Sequence, residues 1–201
     1  KAISLEEGNA MAHYLLAKAD NGQGDGLMCI AHLTQAITLK EDFTEARLLR
    51  AEALMKMHQY KEALEDLETI LAQEPDEENA LLLRGQVAEA TNAPEKAEAD
   101  YRHITDVNPF NEQAFVCLGR LEIARNKLPE AIKLLDEAIE LNPDSPALYH
   151  ERGRAKLLNG DKDGSMEDLK KELELNPKEV ERLSGKFGNQ PLTQQTDILG
   201  L

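Results

Sequence analysis

Residues 78–109 read ENALLLRGQVAEATNAPEKAEADYRHITDVNP, and two amphipathic helices are written into them. Ala80, Leu81, Val87 and Ala88 form one apolar stripe, and Ala97, Tyr101, Ile104 and Val107 form another. Their spacings of three, four and seven residues are those of an α-helix face. Thr91-Asn92-Ala93-Pro94 separates them, and Pro94 suits a first helical turn, where a missing N–H leaves nothing unpaired. Asn108-Pro109 ends the second helix, because a residue before proline avoids the α conformation.

The same pattern returns every 34 residues in both directions. Pro75, Pro109, Pro143 and Pro177 stand one period apart, as do Ala63, Ala97, Ala131 and Ser165. Gly85, Gly119 and Gly153 continue a column begun by Ala17 and Ala51. Glycine inside a helix costs about 1 kcal/mol relative to alanine. A column that keeps only Gly or Ala therefore marks a point where two helices touch. A fixed period of this length predicts stacked units sharing a continuous core, not a globule with one centre.

The turns within each period are short: Gly22-Gln23-Gly24-Asp25-Gly26, Met57-His58-Gln59-Tyr60, Asn92-Ala93-Pro94, Asn126-Lys127-Leu128-Pro129 and Asn159-Gly160-Asp161. Such turns make paired helices antiparallel neighbours. The glycine-rich first turn lacks the Lys-Ser/Thr ending of a phosphate loop. Asp42 and Glu45 have capping-box spacing for the start of another helix.

Composition narrows the function classes. The net charge is −15, which disfavours nucleic acid and anionic membrane surfaces as partners. Residues 41–78 hold twelve acids against four bases, which reads as a solvated face or as a face for a basic partner. No apolar run approaches the length of a membrane span. Cys29 and Cys117 lie in different periods, so no disulfide is expected, and unpaired cysteines favour a cytoplasmic setting while leaving localisation open.

These repeats resemble the tetratricopeptide repeat, a 34-residue helix–turn–helix. The resemblance rests on Gly119, Ala131, Leu135, Ala138 and Pro143, recurring in register with starts at Ala10, Thr44, Glu78, Glu112 and Pro146. It implies an all-α, right-handed solenoid of antiparallel helix pairs. The repeats would occupy 10–43, 44–77, 78–111, 112–145 and 146–179. Lys1 to Asn9 align with Glu137 to Ser145, which reads as the end of a truncated preceding repeat. Glu172 replaces Ala138, as at the end of a stack, and 180–185 read as a capping helix before an irregular tail at 186–201. The family's first-helix Trp is absent; His13, Arg47, Leu81, Phe115 and Tyr149 hold its place.

One covariation stands out inside the chain. Arg50, Arg84 and Arg152 are each followed sixteen residues later by Asp66, Asp100 and Asp168, whereas the fourth repeat has Leu118 and Leu134. This predicts an Arg–Asp pair joining the two helices of a repeat, replaced there by an apolar pair.

No catalytic constellation is legible. His13, His32, His58, His103 and His150 form no metal motif with an acid or cysteine, and there is no Gly-x-Ser-x-Gly elbow. The expectation is a non-enzymatic scaffold for protein–protein interaction, without a cofactor. By the resemblance, first helices line a concave groove that takes a peptide or partner segment. The residues so placed are Tyr14 and Lys18; Leu48, Glu52 and Met55; Leu82, Gln86 and Glu89; Val116, Arg120 and Ile123; and His150, Arg154 and Leu157. Apolar anchors with a charged rim suit a peptide site. Chaperone-binding relatives clamp a carboxylate with Lys and Asn from successive first helices. Here those places hold Tyr14 with Lys18 and Leu49, or Leu48 with Glu52 and Leu83, which argues against that ligand. Alternatives are a regulatory or localising domain of a larger protein, or self-association through the truncated N-terminal end or the tail.

Overall fold

The computed structural model describes residues 2–176, with side chains from Gly8 onward. The expected capping helix at 180–185 and the tail at 186–201 lie outside the described residues. Ten helices and no strand occur among the described residues. They are α1 (Ala2–Gln23), α2 (Gly26–Leu39), α3 (Thr44–Lys56), α4 (Tyr60–Gln73), α5 (Glu78–Ala90), α6 (Pro94–Val107), α7 (Glu112–Ala124), α8 (Leu128–Leu141), α9 (Pro146–Leu158) and α10 (Lys162–Leu175). The chain divides into two compact units, Lys1–Pro109 and Phe110–Leu201. The first contains α1 to α6 and the second α7 to α10.

Helices are paired in antiparallel hairpins. In α5 and α6, Glu78 meets Asn108 while Glu89 meets Tyr101, so one index rises as the other falls. Within the first unit α2 packs on α3, α4 on α5 and α3 on α5; within the second, α8 and α7 both pack on α9. Each inter-pair core is built of small and aliphatic side chains. Cys29, Leu33, Ala36 and Ile37 of α2 close against Ala46 and Ala53 of α3, with Phe43 between them. Phe115, Leu135, Ala138, Ile139 and Leu148 do the same in the second unit. Each fully buried aliphatic side chain contributes about 1.5–3 kcal/mol.

The turns inside the pairs share one device. Gly24, His58, Asn92, Asn126 and Gly160 all have positive φ, between 58° and 90°. They are spaced one period apart. In each turn the following residue's N–H reaches back five residues, as Gln59 to Leu54 O at 2.9 Å and Lys127 to Glu122 O at 2.9 Å. This is a Schellman ending, in which a left-handed residue reverses the chain and satisfies the last carbonyls. Gly and Asn tolerate that conformation; His58 does so less readily.

The small-residue column acts as predicted. A Cβ added at Gly85 would stand 2.4 Å from the Tyr101 ring, and one at Gly119 would stand 2.9 Å from Leu135. Tyr101 is fully buried, and its hydroxyl donates to Glu89 Oε1 at 2.5 Å. Asn108, Asn142 and Asn176 cap the C-termini of α6, α8 and α10, where Asn-Pro was expected to end helices.

Two local expectations are corrected. Asp42 does not cap α3: the N-cap is Phe43, which makes no side-chain cap and is buried in the core. At the same point of the period Glu77, Asn111 and Ser145 do cap, accepting from the N–H three residues on. Apolar burial thus replaces the cap in one repeat. The second correction is at the N-terminus, where α1 runs without a break through Gly8-Asn9. The aligned segment at 142–143 is Asn-Pro, but residues 6–7 are Glu-Glu, and nothing there stops a helix.

Candidate functional site

The predicted Arg–Asp pairs form in all three repeats. Arg50 donates through Nε and Nη2 to Asp66, both at 2.7 Å. Arg84 reaches Asp100 at 2.9 and 2.6 Å, and Arg152 reaches Asp168 at 2.9 and 2.5 Å. The carboxylates are buried, with Asp66 at 1% and Asp168 at 2% exposure. Such forked, charge-assisted bonds are the strong class. The Asp100 bond holds the Arg84 guanidinium above its ordinary basicity, and the Asp168 bond does the same for Arg152. Two of the arginines also reach back to the preceding pair. Arg50 donates to Thr34 at 3.1 Å and Arg152 to Asp136 at 2.7 Å. Arg50 and Arg152 therefore each join three helices, Arg84 joins α5 to α6, and all three belong to the scaffold.

In the first unit the expected groove residues fall on α1, α3 and α5. Tyr14 is half-buried, with its ring 5.1 Å from Phe43 and the Lys18 ammonium 5.6 Å from its own centroid. Burial, then the charges of Glu45 and Glu52, raises its phenol pKa. Leu48, Met55, Leu82 and Gln86 are half-buried, while Lys18, Glu52 and Glu89 are exposed. Glu89 is engaged by the Tyr101 hydroxyl.

In the second unit the expectation fails at two positions. Val116 is 2% and Ile123 6% exposed, and both lie in core clusters, not on a groove surface. The apolar row at this point is consumed by packing against Leu148 and Ala155. Arg120, His150, Arg154 and Leu157 are exposed. Arg120 Nε donates to Glu151 Oε1 at 2.6 Å, and Arg154 Nη1 to Glu151 Oε2 at 3.3 Å. Glu151 itself is 2% exposed. His150 meets Glu172 of α10 at 3.0 Å. Arg120, His150, Glu151 and Glu172 line a cleft of about 410 Å³ together with Glu112 and Pro146. A buried carboxylate thus holds two half-exposed guanidinium groups, and the Arg120 group lines the cleft.

Glu151 was not anticipated, although its column gives a signal. The same place in the other repeats holds Leu15, Leu49, Leu83 and Cys117. A charge in an apolar column needs a partner, and Arg120 and Arg154 supply it.

Among the described residues no group of three or more His, Cys, Asp or Glu is placed to hold a metal ion. No described helix is long and apolar enough to cross a membrane. Cys29 and Cys117 are free and buried.

Tetratricopeptide repeat models match residues 48–111 and TPR repeat models match 119–160. The chain belongs to the tetratricopeptide repeat family, and its fold is that of the family's all-α solenoids. It is 34% identical over 76 residues to DnaJ homolog subfamily C member 3 of Mus musculus and of Homo sapiens. That match covers 38% of this chain and 15% of those proteins. Among solved structures it is similar to MamA, with a TM-score of 0.66 and 17% identity over 92% of this chain and 97% of that one. It is also similar to YrrB, described as a TPR protein with an unusual peptide-binding site, with a TM-score of 0.60, 18% identity and coverage of 92% and 95%. Family and fold together define a scaffold for protein–protein interaction.

Proposed function

We propose that this chain is a non-enzymatic scaffold that holds peptide or partner segments against the exposed sides of its first helices. The observation that carries this reading is the Arg120–Glu151–Arg154 cluster. Glu151 is buried and its two oxygens accept from Arg120 and Arg154, so this three-residue cluster carries one net positive charge, beside a cleft that Glu112 and Glu172 also line. A guanidinium pair of this kind recognises carboxylates. The ligand class for the second unit is therefore an acidic segment. The first unit suits the opposite charge: half-buried Leu48 and Leu82 sit among exposed Glu52 and Glu89, which fits a basic segment with aliphatic anchors.

The test is a pull-down with the intact array, read by mass spectrometry, beside an Arg120→Glu/Arg154→Glu variant whose helicity matches. Loss of a subset of captured proteins supports the reading. An unchanged set removes the two arginines from the site.

A second reading is a regulatory or localising domain of a larger protein, favoured by the 15% share of the curated relatives that the match spans. Self-association is a third, favoured by the exposure of Met11, Leu15 and Leu16 on α1. Light scattering across a concentration series separates it from the others.

A further inference from the structure

The first repeat departs from its successors at three positions that converge in space. His13 stands where later repeats have Arg47, Leu81, Phe115 and Tyr149. His32 stands in the column of Asp66, Asp100, Leu134 and Asp168. Asp20 stands in the column of Leu54, Ala88, Glu122 and Lys156. Where the second repeat places the Arg47–Asp66 ion pair, the first places two imidazoles.

Their geometry is specific. His13 Nδ1 and His32 Nδ1 are 3.2 Å apart, with ring centroids 5.4 Å apart and planes tilted by 33°. On the far side of His32, Nε2 lies 3.8 Å from Asp20 Oδ2. That oxygen is buried and has no hydrogen-bond partner, the only such side-chain atom among the described residues. An orphaned buried polar atom has lost water without gaining a partner, so it calls for a donor.

We propose that His13 and His32 form a two-imidazole site for a borderline divalent cation such as Zn²⁺, with Asp20 orienting His32. Zinc–nitrogen bonds of about 2.0–2.1 Å at a tetrahedral angle separate two ligand nitrogens by about 3.3 Å. The observed 3.2 Å matches that separation. Binding through Nδ1 fixes the His32 proton on Nε2, where a small turn of the ring donates it to Asp20. This is the carboxylate–histidine–metal arrangement found behind metal ligands. Two protein ligands leave the remaining coordination positions to water or to a ligand from a partner. Imidazole nitrogens select zinc-like cations over Mg²⁺ or Ca²⁺, which require oxygen. The bound ion would pin α1 to α2.

The probe is the metal alone, added to the intact chain. Micromolar Zn²⁺ should raise the melting temperature, and equal Mg²⁺ should not. Co²⁺ should give a visible absorption band. His13→Gln and His32→Gln should each abolish both responses while keeping the helical circular dichroism. Asp20→Asn should weaken the apparent affinity about tenfold without abolishing it. Should the histidine variants fail to fold, imidazole NMR of the unsubstituted chain decides. Zn²⁺ must shift the Nδ1 resonances of His13 and His32. Shifts confined to His58, His103 and His150 would overturn the proposal. So would a flat Zn²⁺ titration, or a response that survives both substitutions; the pair is then only a shared-proton hydrogen bond.

Discussion

Arg84 grips Asp100 at two points, 2.9 and 2.6 Å, and so ties α5 to α6 beneath the surface of their hairpin. The Asp100 side chain is 10% exposed and that of Arg84 35%. Stripping the arginine leaves a nearly buried carboxylate without its counter-ion. Arg84→Leu should therefore destabilise the chain by about 2 kcal/mol, a buried-pair figure reduced for the arginine's exposure. Arg84→Leu with Asp100→Leu should be close to neutral, since the fourth repeat natively holds Leu118 and Leu134 at these places. Denaturant titration measures both; equal midpoints for the single and double variants would sink the pairing account.

Gly85 and Tyr101 are matched in size. Gly85→Ala gains about 1 kcal/mol of helix propensity but drives a Cβ into the tyrosine ring. Overpacking of this kind costs about 1–3 kcal/mol, so the net change should be destabilising. Tyr101→Leu should reverse its sign, because the second repeat holds Ala51 with Leu67 in the same two columns, both fully buried. A double-mutant cycle with additive effects would contradict direct contact.

His58 is the one bulky residue among the five left-handed turn positions, at φ 59°. His58→Gly should raise stability by several tenths of a kcal/mol, because relief of the backbone conformation outweighs the exposed bond to Tyr60. His58→Val should lower it. Thermal melts of the two variants must move in opposite directions.

Burial first, then the nearby Asp20 charge, pushes the Cys29 thiol above its ordinary range, and burial likewise raises Tyr14. A raised folded pKa on a neutral acid gives stability that is complete below the unfolded value and lost as pH rises through the folded one. The first repeat should therefore weaken from about pH 9 upward, in the range where Cys and Tyr normally titrate. A thiol reagent at pH 7 should leave Cys29 and Cys117 unmodified. Labelling should accelerate with pH faster than it does for a free thiol. Rapid labelling at neutral pH would show that the two sites are open.

Much of this architecture was readable because a period multiplies each local signal. One glycine inside a helix says little, whereas Ala51, Gly85, Gly119 and Gly153 in one column define a contact. The Arg–Asp pairs were legible for the same reason: two columns changed together. What escaped were properties of single positions. Val116 and Ile123 look like Leu48 and Leu82 on a helical wheel, and only neighbouring volume decides which are covered. Phe43 displaced a predicted cap because its burial outweighs one hydrogen bond. Glu151 was overlooked as one acid among many, although its column is apolar. The uninterrupted α1 follows from a missing proline, an absence that column averaging conceals.

The left-handed turn residue recurs once per period, and so do the helix starts at Thr44, Glu78, Glu112 and Pro146. Heredity meets this molecule in whole steps. Excising residues 44–77 would join Phe43 to Glu78, with an N-cap position again preceding a helix start. Excising one residue fewer would rotate the remainder of a helix by about 100° against its neighbours. A gene for such a chain can therefore lengthen or shorten by recombination between its own copies, provided that the crossover respects a 102-nucleotide frame, about three nucleotides for each residue of the period.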